Sequence, residues 1–163
     1  MSVDKALFRQ AAGSFATGVT VITTGRDGVY HGMTASAFTS VSLEPTQILI
    51  CVDRTAVTLD LLHKTGHFNV NVLAADQEQL ARAFATKESP ESHGLNGVDY
   101  RMGETGLPLL NGALAYLECR TVQQFDGGDH VIFLGEVENA GVGDASDPLL
   151  YFRGRYRQLG NGA

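Results

Sequence analysis

An antiparallel β-barrel with accessory helices is the fold class this sequence predicts, and three observations point to it. About six apolar, β-branched runs are separated by glycine-bearing turns. Helical stretches fall between them irregularly, whereas parallel βαβ units would alternate strictly. The 19 glycines against four prolines suit many tight turns and close backbone approaches. A length of 163 residues predicts one domain over 1–163, long enough to bury a core and too short for two.

The elements follow in order. Residues 4–13 set Ala6, Leu7, Gln10 and Ala11 at helical spacing behind Asp4, a capping residue, and predict a short amphipathic helix. Ala16 to Thr24 reads as a strand ending in a hairpin turn at Asp27-Gly28, a pair that supplies the positive φ such turns need. A second strand leaves through Val29 and Tyr30. Thr46 to Asp53 is nearly all apolar and predicts a strand buried on both faces. Thr55 to Lys64 predicts a helix with Val57, Leu61 and Leu62 on one side, stopped by Gly66. His67 to Leu73 alternates polar with apolar, as a strand with one wet face does. Asp76 to Thr86 reads as a helix. Residues 87–112 show little periodicity and predict a long surface loop. Ala113 to Phe125 and His130 to Ala140 flank a hairpin connection at 126–129, and Pro148 opens a final strand-like run.

Composition narrows the function classes. Hydrophobic residues make up 44% and charged residues 18%, ordinary for a folded protein. The formal charge of −6 argues against a nucleic-acid partner, whose phosphates need a basic face; Arg153, Arg155 and Arg157 form the one local basic cluster. Cys51 and Cys119 sit singly inside apolar runs and read as buried thiols rather than as a metal pair or a disulfide. The first ten residues lack the apolar core of a signal peptide, and no apolar run approaches the ~20 residues a membrane span needs. A cytoplasmic protein without membrane contact is expected. The five histidines form no HExxH and no tight ligand pair, so no metal is expected. Neither GxGxxG after the first strand nor GxxxxGK appears, which disfavours Rossmann and P-loop nucleotide sites.

Four segments carry candidate chemistry, and each also has a plain structural reading. In His31 to Pro45, Thr34, Ser36, Thr39, Ser40 and Ser42 crowd hydroxyls around Ala35, Ala37 and Phe38. Small residues let backbone amides approach a flat ligand, and hydroxyls can bond its ring edge or phosphate; the alternative is an edge strand with a wet Ser/Thr face. Asp53 to Thr58 leads into a helix whose unpaired amides and dipole suit a phosphate; the alternative is simple capping by Asp53 or Thr55. Gly127 to His130 is either a turn with a polar exit residue or a hairpin tip holding His130 over a pocket mouth. Tyr151 to Tyr156 mixes aromatic rings with arginines, which stack on planar rings and bind phosphates; the alternative is a solvated edge strand.

Together these segments resemble the flavin reductase family of the FMN-binding split-barrel fold. The resemblance runs through FRQAAGSFATGVTVITT (Phe8 to Thr24), GMTASAFTSVSLEP (Gly32 to Pro45), HFNVNVLA from His67, GGDHVIFLGEV (Gly127 to Val137) and PLLYFRGRY (Pro148 to Tyr156), in order and over nearly the whole chain. It implies a six-stranded antiparallel split β-barrel of Greek-key connection, homodimeric, with each flavin in a groove near the subunit interface. Carried over by position, Thr34, Ala35, Ser36, Ala37 and Phe38 would border the flavin ring, and Ser40 and Val41 would continue that wall. Cys51, Val52 and Asp53, then Val57 and Thr58, would approach the ribityl chain and phosphate, and Ala85 and Thr86 the far part of the cofactor. Because Asp53 is acidic beside a phosphate, Arg54 is an alternative partner there. His130 and Tyr151, Phe152, Arg153 and Gly154 would meet the nicotinamide nucleotide.

The resemblance implies NAD(P)H-dependent reduction of FAD or FMN. The reduced flavin would pass by diffusion to an oxygenase that hydroxylates an aromatic or similar small substrate. Ser36 or Thr34 would polarise the flavin ring and His130 would position the nicotinamide, with no acid–base catalyst in the strict sense. Two alternatives stand beside this reading. One is a pyridoxal-phosphate-type oxidase on the same barrel, and the other is a flavin-binding protein without turnover.

Overall fold

The computed structural model describes residues 2–86 and 94–160. Helix α1 (Lys5–Ala12) begins at Asp4, whose carboxylate accepts from the amides of Ala6 and Leu7 at 2.9 and 3.0 Å. Strands β1 (Thr17–Gly18), β2 (Thr20–Arg26), β3 (Val29–Ala35), β4 (Phe38–Leu43) and β5 (Thr46–Asp53) follow. Helix α2 (Thr58–Thr65) ends at Gly66, which takes the left-handed φ of 65° and donates its amide to Leu62 O. Then come β6 (His67–Val72), a 3-10 turn (Ala75–Gln77), α3 (Glu78–Phe84), β7 (Tyr100–Met102), β8 (Pro108–Leu110), β9 (Ala115–Gly127), β10 (His130–Val142), β11 (Leu149–Phe152) and β12 (Arg155–Gln158).

The main sheet is wholly antiparallel, in the order β3-β2-β6-β9-β10-β5-β4. It holds seven strands, one more than the six expected, because the run from Gly32 to Pro45 divides into β3 and β4 at Ser36-Ala37. The β2–β3 hairpin turns on Asp27 and Gly28 with φ of 53° and 82°, the left-handed pair a two-residue turn requires. The β9–β10 strands run closer to their tip than the sequence indicated, so that only Gly128 and Asp129 lie between them. β1 joins the terminal hairpin in a small sheet of order β1-β11-β12.

Two apolar cores flank β2. Ile22 packs with Ile48, Ile50, Val52, Leu59, Leu62, Phe68, Val131 and Phe133 on one side. Val19 and Val21 pack with Leu73, Ala81, Phe84, Leu110 and Leu149 on the other. Thus β2 is the strand buried on both faces, and β5 is not: Ile48, Ile50 and Val52 are buried while Gln47, Leu49, Cys51 and Asp53 are only partly covered. An apolar run cannot distinguish these cases.

The wet face expected on β6 is also absent. Asn69 and Asn71 are fully buried because the β7–β8 hairpin covers them. Asn69 Nδ2 donates to the carbonyls of Leu107 and Pro108, both at 3.2 Å. Asn71 accepts from the Leu110 amide at 2.8 Å and donates to Val21 O at 3.0 Å. The expected surface loop over 87–112 instead holds the β7–β8 hairpin, exposed at Arg101 and Met102 but buried through Leu107–Leu110, and its first part, 87–93, lies outside the described residues.

Candidate functional site

A cleft of about 250 Å³ gathers residues from distant parts of the chain. The end of β3 and the link to β4 bring Met33 through Ala37, and the end of β5 brings Cys51 and Asp53. The approach to α2 contributes Thr55, Ala56 and Val57, the end of α3 contributes Phe84, Ala85 and Thr86, and His130 enters at the start of β10.

The wall from Thr34 to Ala37 is held from behind. Thr34 Oγ1 donates to Ala81 O at 2.7 Å, and Thr20 Oγ1 donates to Ala35 O at 2.7 Å. The Cys51 amide donates to Ala37 O at 3.1 Å, pinning the link to β5. Thr34 has thereby committed its proton to α3, whereas the exposed Ser36 hydroxyl makes no hydrogen bond among the described residues. Burial pushes the Cys51 thiol above its ordinary range, so it stays protonated and a poor nucleophile at neutral pH.

Before α2, Asp53 Oδ1 accepts from the amide and hydroxyl of Thr55 at 2.8 and 2.7 Å. That turn leaves the amides of Val57 and Thr58 without a partner among the described residues; Val57 lines the cleft, where such an amide suits an anion, while Thr58 is buried beneath it. Arg54 points elsewhere. Its Nε donates to Gly128 O at 2.7 Å and its Nη2 pairs with Asp126 at 2.6 Å. Arg54 as the phosphate partner is corrected accordingly: its guanidinium serves the β9–β10 tip. Beside that tip, His130 Nδ1 lies 2.7 Å from Asp129 Oδ1. The hydrogen bond and charge of His130 hold the Asp129 carboxyl below its usual range.

Of the positions carried over from the resemblance, Thr34, Ala35, Ser36, Ala37, Cys51, Asp53, Val57, Ala85, Thr86 and His130 line this cleft. Val52 and Thr58 do not, since both side chains are fully buried. Phe38 packs against the core around Ile50, and Ser40 and Val41 lie exposed along β4. Tyr151 lines an adjoining hollow with Tyr156 and Val19, and that hollow shares Thr34, Ser36 and Ala85 with the cleft. Arg153 and Gly154 instead face α1: the Arg153 amide donates to Gly13 O at 2.9 Å, and its Nε to Ser14 Oγ at 3.3 Å. The Arg153 guanidinium also covers the Phe152 ring at 5.1 Å. Sequence reasoning missed Met33, Thr55, Ala56, Phe84 and Tyr156. All but Phe84 fall inside the candidate segments His31 to Pro45, Asp53 to Thr58 and Tyr151 to Tyr156, without having been singled out there as site residues.

Residues 12–160 match the family model described as a flavin reductase like domain. An NADH-dependent FAD reductase of Streptomyces globisporus is 44% identical, over 96% of this chain and 86% of its own. The reductase component of a 4-nitrophenol 4-monooxygenase/4-nitrocatechol 2-monooxygenase from Rhodococcus opacus is 42% identical, over 94% of this chain and 80% of its own. Among solved structures, the S. globisporus NADH:FAD oxidoreductase SgcE6 in complex with NAD and FAD fragments superposes with a TM-score of 0.90 at 43% identity, covering 98% of this chain and 95% of that one.

Proposed function

Since the chain belongs to the flavin reductase like family, we propose that it catalyses NAD(P)H-dependent reduction of FAD or FMN and supplies the reduced flavin to a partner monooxygenase. The observation that carries this reading is the cleft itself. It sets small residues and the Ser36 hydroxyl on one wall, the Val57 amide at the approach to α2, both without a partner among the described residues, and His130 at its edge. These features fit a flavin, which needs a narrow slot for a planar ring and donors for its polar edge and phosphate.

When bound, flavin supplies the electron acceptor for the hydride carried by the reduced nicotinamide. The chain's own part is binding and alignment. Ala35, Ser36 and Ala37 bring backbone and hydroxyl to the ring edge, while Val57 presents its amide to the phosphate. Asp53 is held by Thr55, which turns its carboxylate toward protein donors. His130 offers its second ring nitrogen, Nε2, to the nicotinamide nucleotide, and Tyr151 extends the surface on which that nucleotide lies. Holding two planar groups at reactive distance removes much of the entropic barrier.

The same reading extends to the molecule: one domain over 1–163, a closed split barrel, a homodimer and a cytoplasmic location. Exposed apolar side chains such as Phe15 (78%), Leu43 (91%) and Val142 (88%) support association. Among the described residues no helix is long and apolar enough to cross a membrane. The partner oxygenase acts on an aromatic or similar small substrate.

The test is spectrophotometric loss of NADH or NADPH with FAD, FMN or no flavin added. Turnover that requires added flavin is expected. Flavin binding without nicotinamide oxidation would assign the chain to the non-catalytic binders, and oxidation of a pyridoxal-type phosphate would assign it to the other oxidases of this barrel.

A further inference from the structure

The approach to α2 and the tip of the β9–β10 hairpin come from distant parts of the chain, yet three hydrogen bonds tie them together, and a fourth braces the tip itself. Arg54 donates its amide to Asp129 O at 3.0 Å, its Nε to Gly128 O at 2.7 Å and its Nη2 to Asp126 Oδ1 at 2.6 Å. The Gly128 amide donates to the same Asp126 oxygen at 3.0 Å. Arg54 therefore meets the two-residue turn twice, with its guanidinium at Asp126 and Gly128 and with its backbone amide at Asp129. The residue after that turn is His130, which stands opposite Asp53 in the β5–β10 register.

We propose that Arg54 is a positioning residue for the nicotinamide nucleotide, acting through the β9–β10 tip to hold His130 at the cleft. This rests on the flavin reductase reading. A surface arginine usually contributes little as an ion pair, but the geometry here does more than pair charges. The planar fork reaches a carbonyl and a carboxylate at once, which a flexible ammonium matches poorly. Gly128 has φ of 76°, so the turn sits in a conformation with few side-chain contacts of its own. Its Cβ position meets nothing within 4 Å. The Arg54 side chain holds the turn through the Gly128 carbonyl instead.

The consequence reaches the imidazole. Asp129 Oδ1 sits 2.7 Å from His130 Nδ1, and a carboxylate there accepts a hydrogen bond from Nδ1–H. That bond sets the tautomer and leaves Nε2 as the ring nitrogen available to a ligand. The Arg54 guanidinium bonds the Gly128 carbonyl in the peptide that leads into Asp129, and the Asp126 carboxylate behind it, while the bond to the Asp129 carbonyl comes from the Arg54 backbone amide and survives a side-chain change. Releasing the clamp frees Asp129 to rotate away, and His130 then loses both its orientation and its tautomer preference. Because the other end of the clamp is the Asp53–Val57 segment, the two regions assigned to flavin and nicotinamide are held in one rigid relation.

The test is a double-mutant cycle of Arg54→Met with His130→Ala, read by steady-state kinetics and by 15N spectra of the histidine ring. In the wild-type background Arg54→Met should lower kcat/KM for NADH by about tenfold, with flavin affinity unchanged. In the His130→Ala background the same substitution should cost less than about twofold, because both act through one imidazole. The ring spectrum of wild type should show a proton on Nδ1, and that of Arg54→Met a tautomer mixture. Asp126→Asn, which weakens the clamp from the hairpin side, should follow the same pattern, and Arg54→Lys should recover only part of it. Equal losses in both backgrounds, an unchanged tautomer in both clamp variants, or a loss confined to flavin binding would each overturn the assignment. A wild-type protein that consumes no nicotinamide overturns the underlying reading as well, and that is seen before any variant is made.

Discussion

His130 and Gly32 are the residues whose substitution separates function from packing most cleanly. His130→Ala removes one hydrogen-bonding group and a ring from the cleft edge while leaving the cores untouched. Its kcat/KM for NADH should fall roughly tenfold, the worth of one lost neutral hydrogen bond with its ring contact. Flavin affinity, followed by fluorescence quenching in the same sample, should not move; a parallel loss would mean that His130 shapes the flavin pocket instead. Gly32 makes the opposite case. A Cβ there would stand 2.7 Å from the Phe84 ring, and Phe84 both fills a core and lines the cleft. Gly32→Val should therefore cost about 1–3 kcal/mol in chemical denaturation and weaken flavin binding as well. Retained affinity would show that Phe84 can give way without disturbing the site.

The β7–β8 hairpin is fastened by a fully buried carboxylate. Glu118 on β9 accepts from the Thr105 amide at 2.8 Å, the Thr105 hydroxyl at 2.7 Å, the Glu104 amide at 3.2 Å and Asn139 Nδ2 at 2.9 Å. Burial pushes its carboxyl upward, but these donors outweigh it and the net displacement is downward. A depressed carboxyl stabilises the fold above its unfolded-state range and loses that contribution as pH falls through the folded value. Acidification should accordingly lower the melting temperature of wild type more steeply than that of Glu118→Gln. At neutral pH the same variant should be less stable by about 2–3 kcal/mol, since its NH2 faces donors where an acceptor stood. Parallel pH curves would remove Glu118 from the acid response. None of this hairpin was legible in the sequence, because residues 100–110 lack periodicity and take their shape from β6 and β9. By contrast, Asp4, the Asp27-Gly28 pair and Gly66 were legible, since caps and tight turns are decided by neighbours in sequence. The site lies between these extremes. The small wall from Thr34 to Ala37 and the α2 approach could be read from residue type, and His130 from its place after a glycine turn. The side chain of Val52 could have been set aside by strand parity, because Cys51 and Asp53 face the cleft and the residue between them must face the core. Arg54 could not be placed, as its carboxylate partner stands 72 residues away.

For the whole molecule, the prediction is a dimer of the 17.4 kDa chain, seen by light scattering at micromolar concentration. Leu43→Glu on the exposed edge of β4 should shift it toward monomer with little loss of folding stability; an unchanged mass would place the contact elsewhere. The closing of the chain on itself has a consequence for its biogenesis. Thr17 and Gly18 of β1 find their partners in Tyr151 and Leu150, and the Gly13 carbonyl is met by the Arg153 amide. Leu149, wholly enclosed, completes the core that Val19 and Val21 begin. Domains form as units during synthesis at roughly 5–20 residues per second, yet here the earliest strand waits for nearly the last. A nascent chain stalled short of Pro148 lacks Leu149 over Val19 and Leu73. The core beside β2 is complete only once β11 has been made.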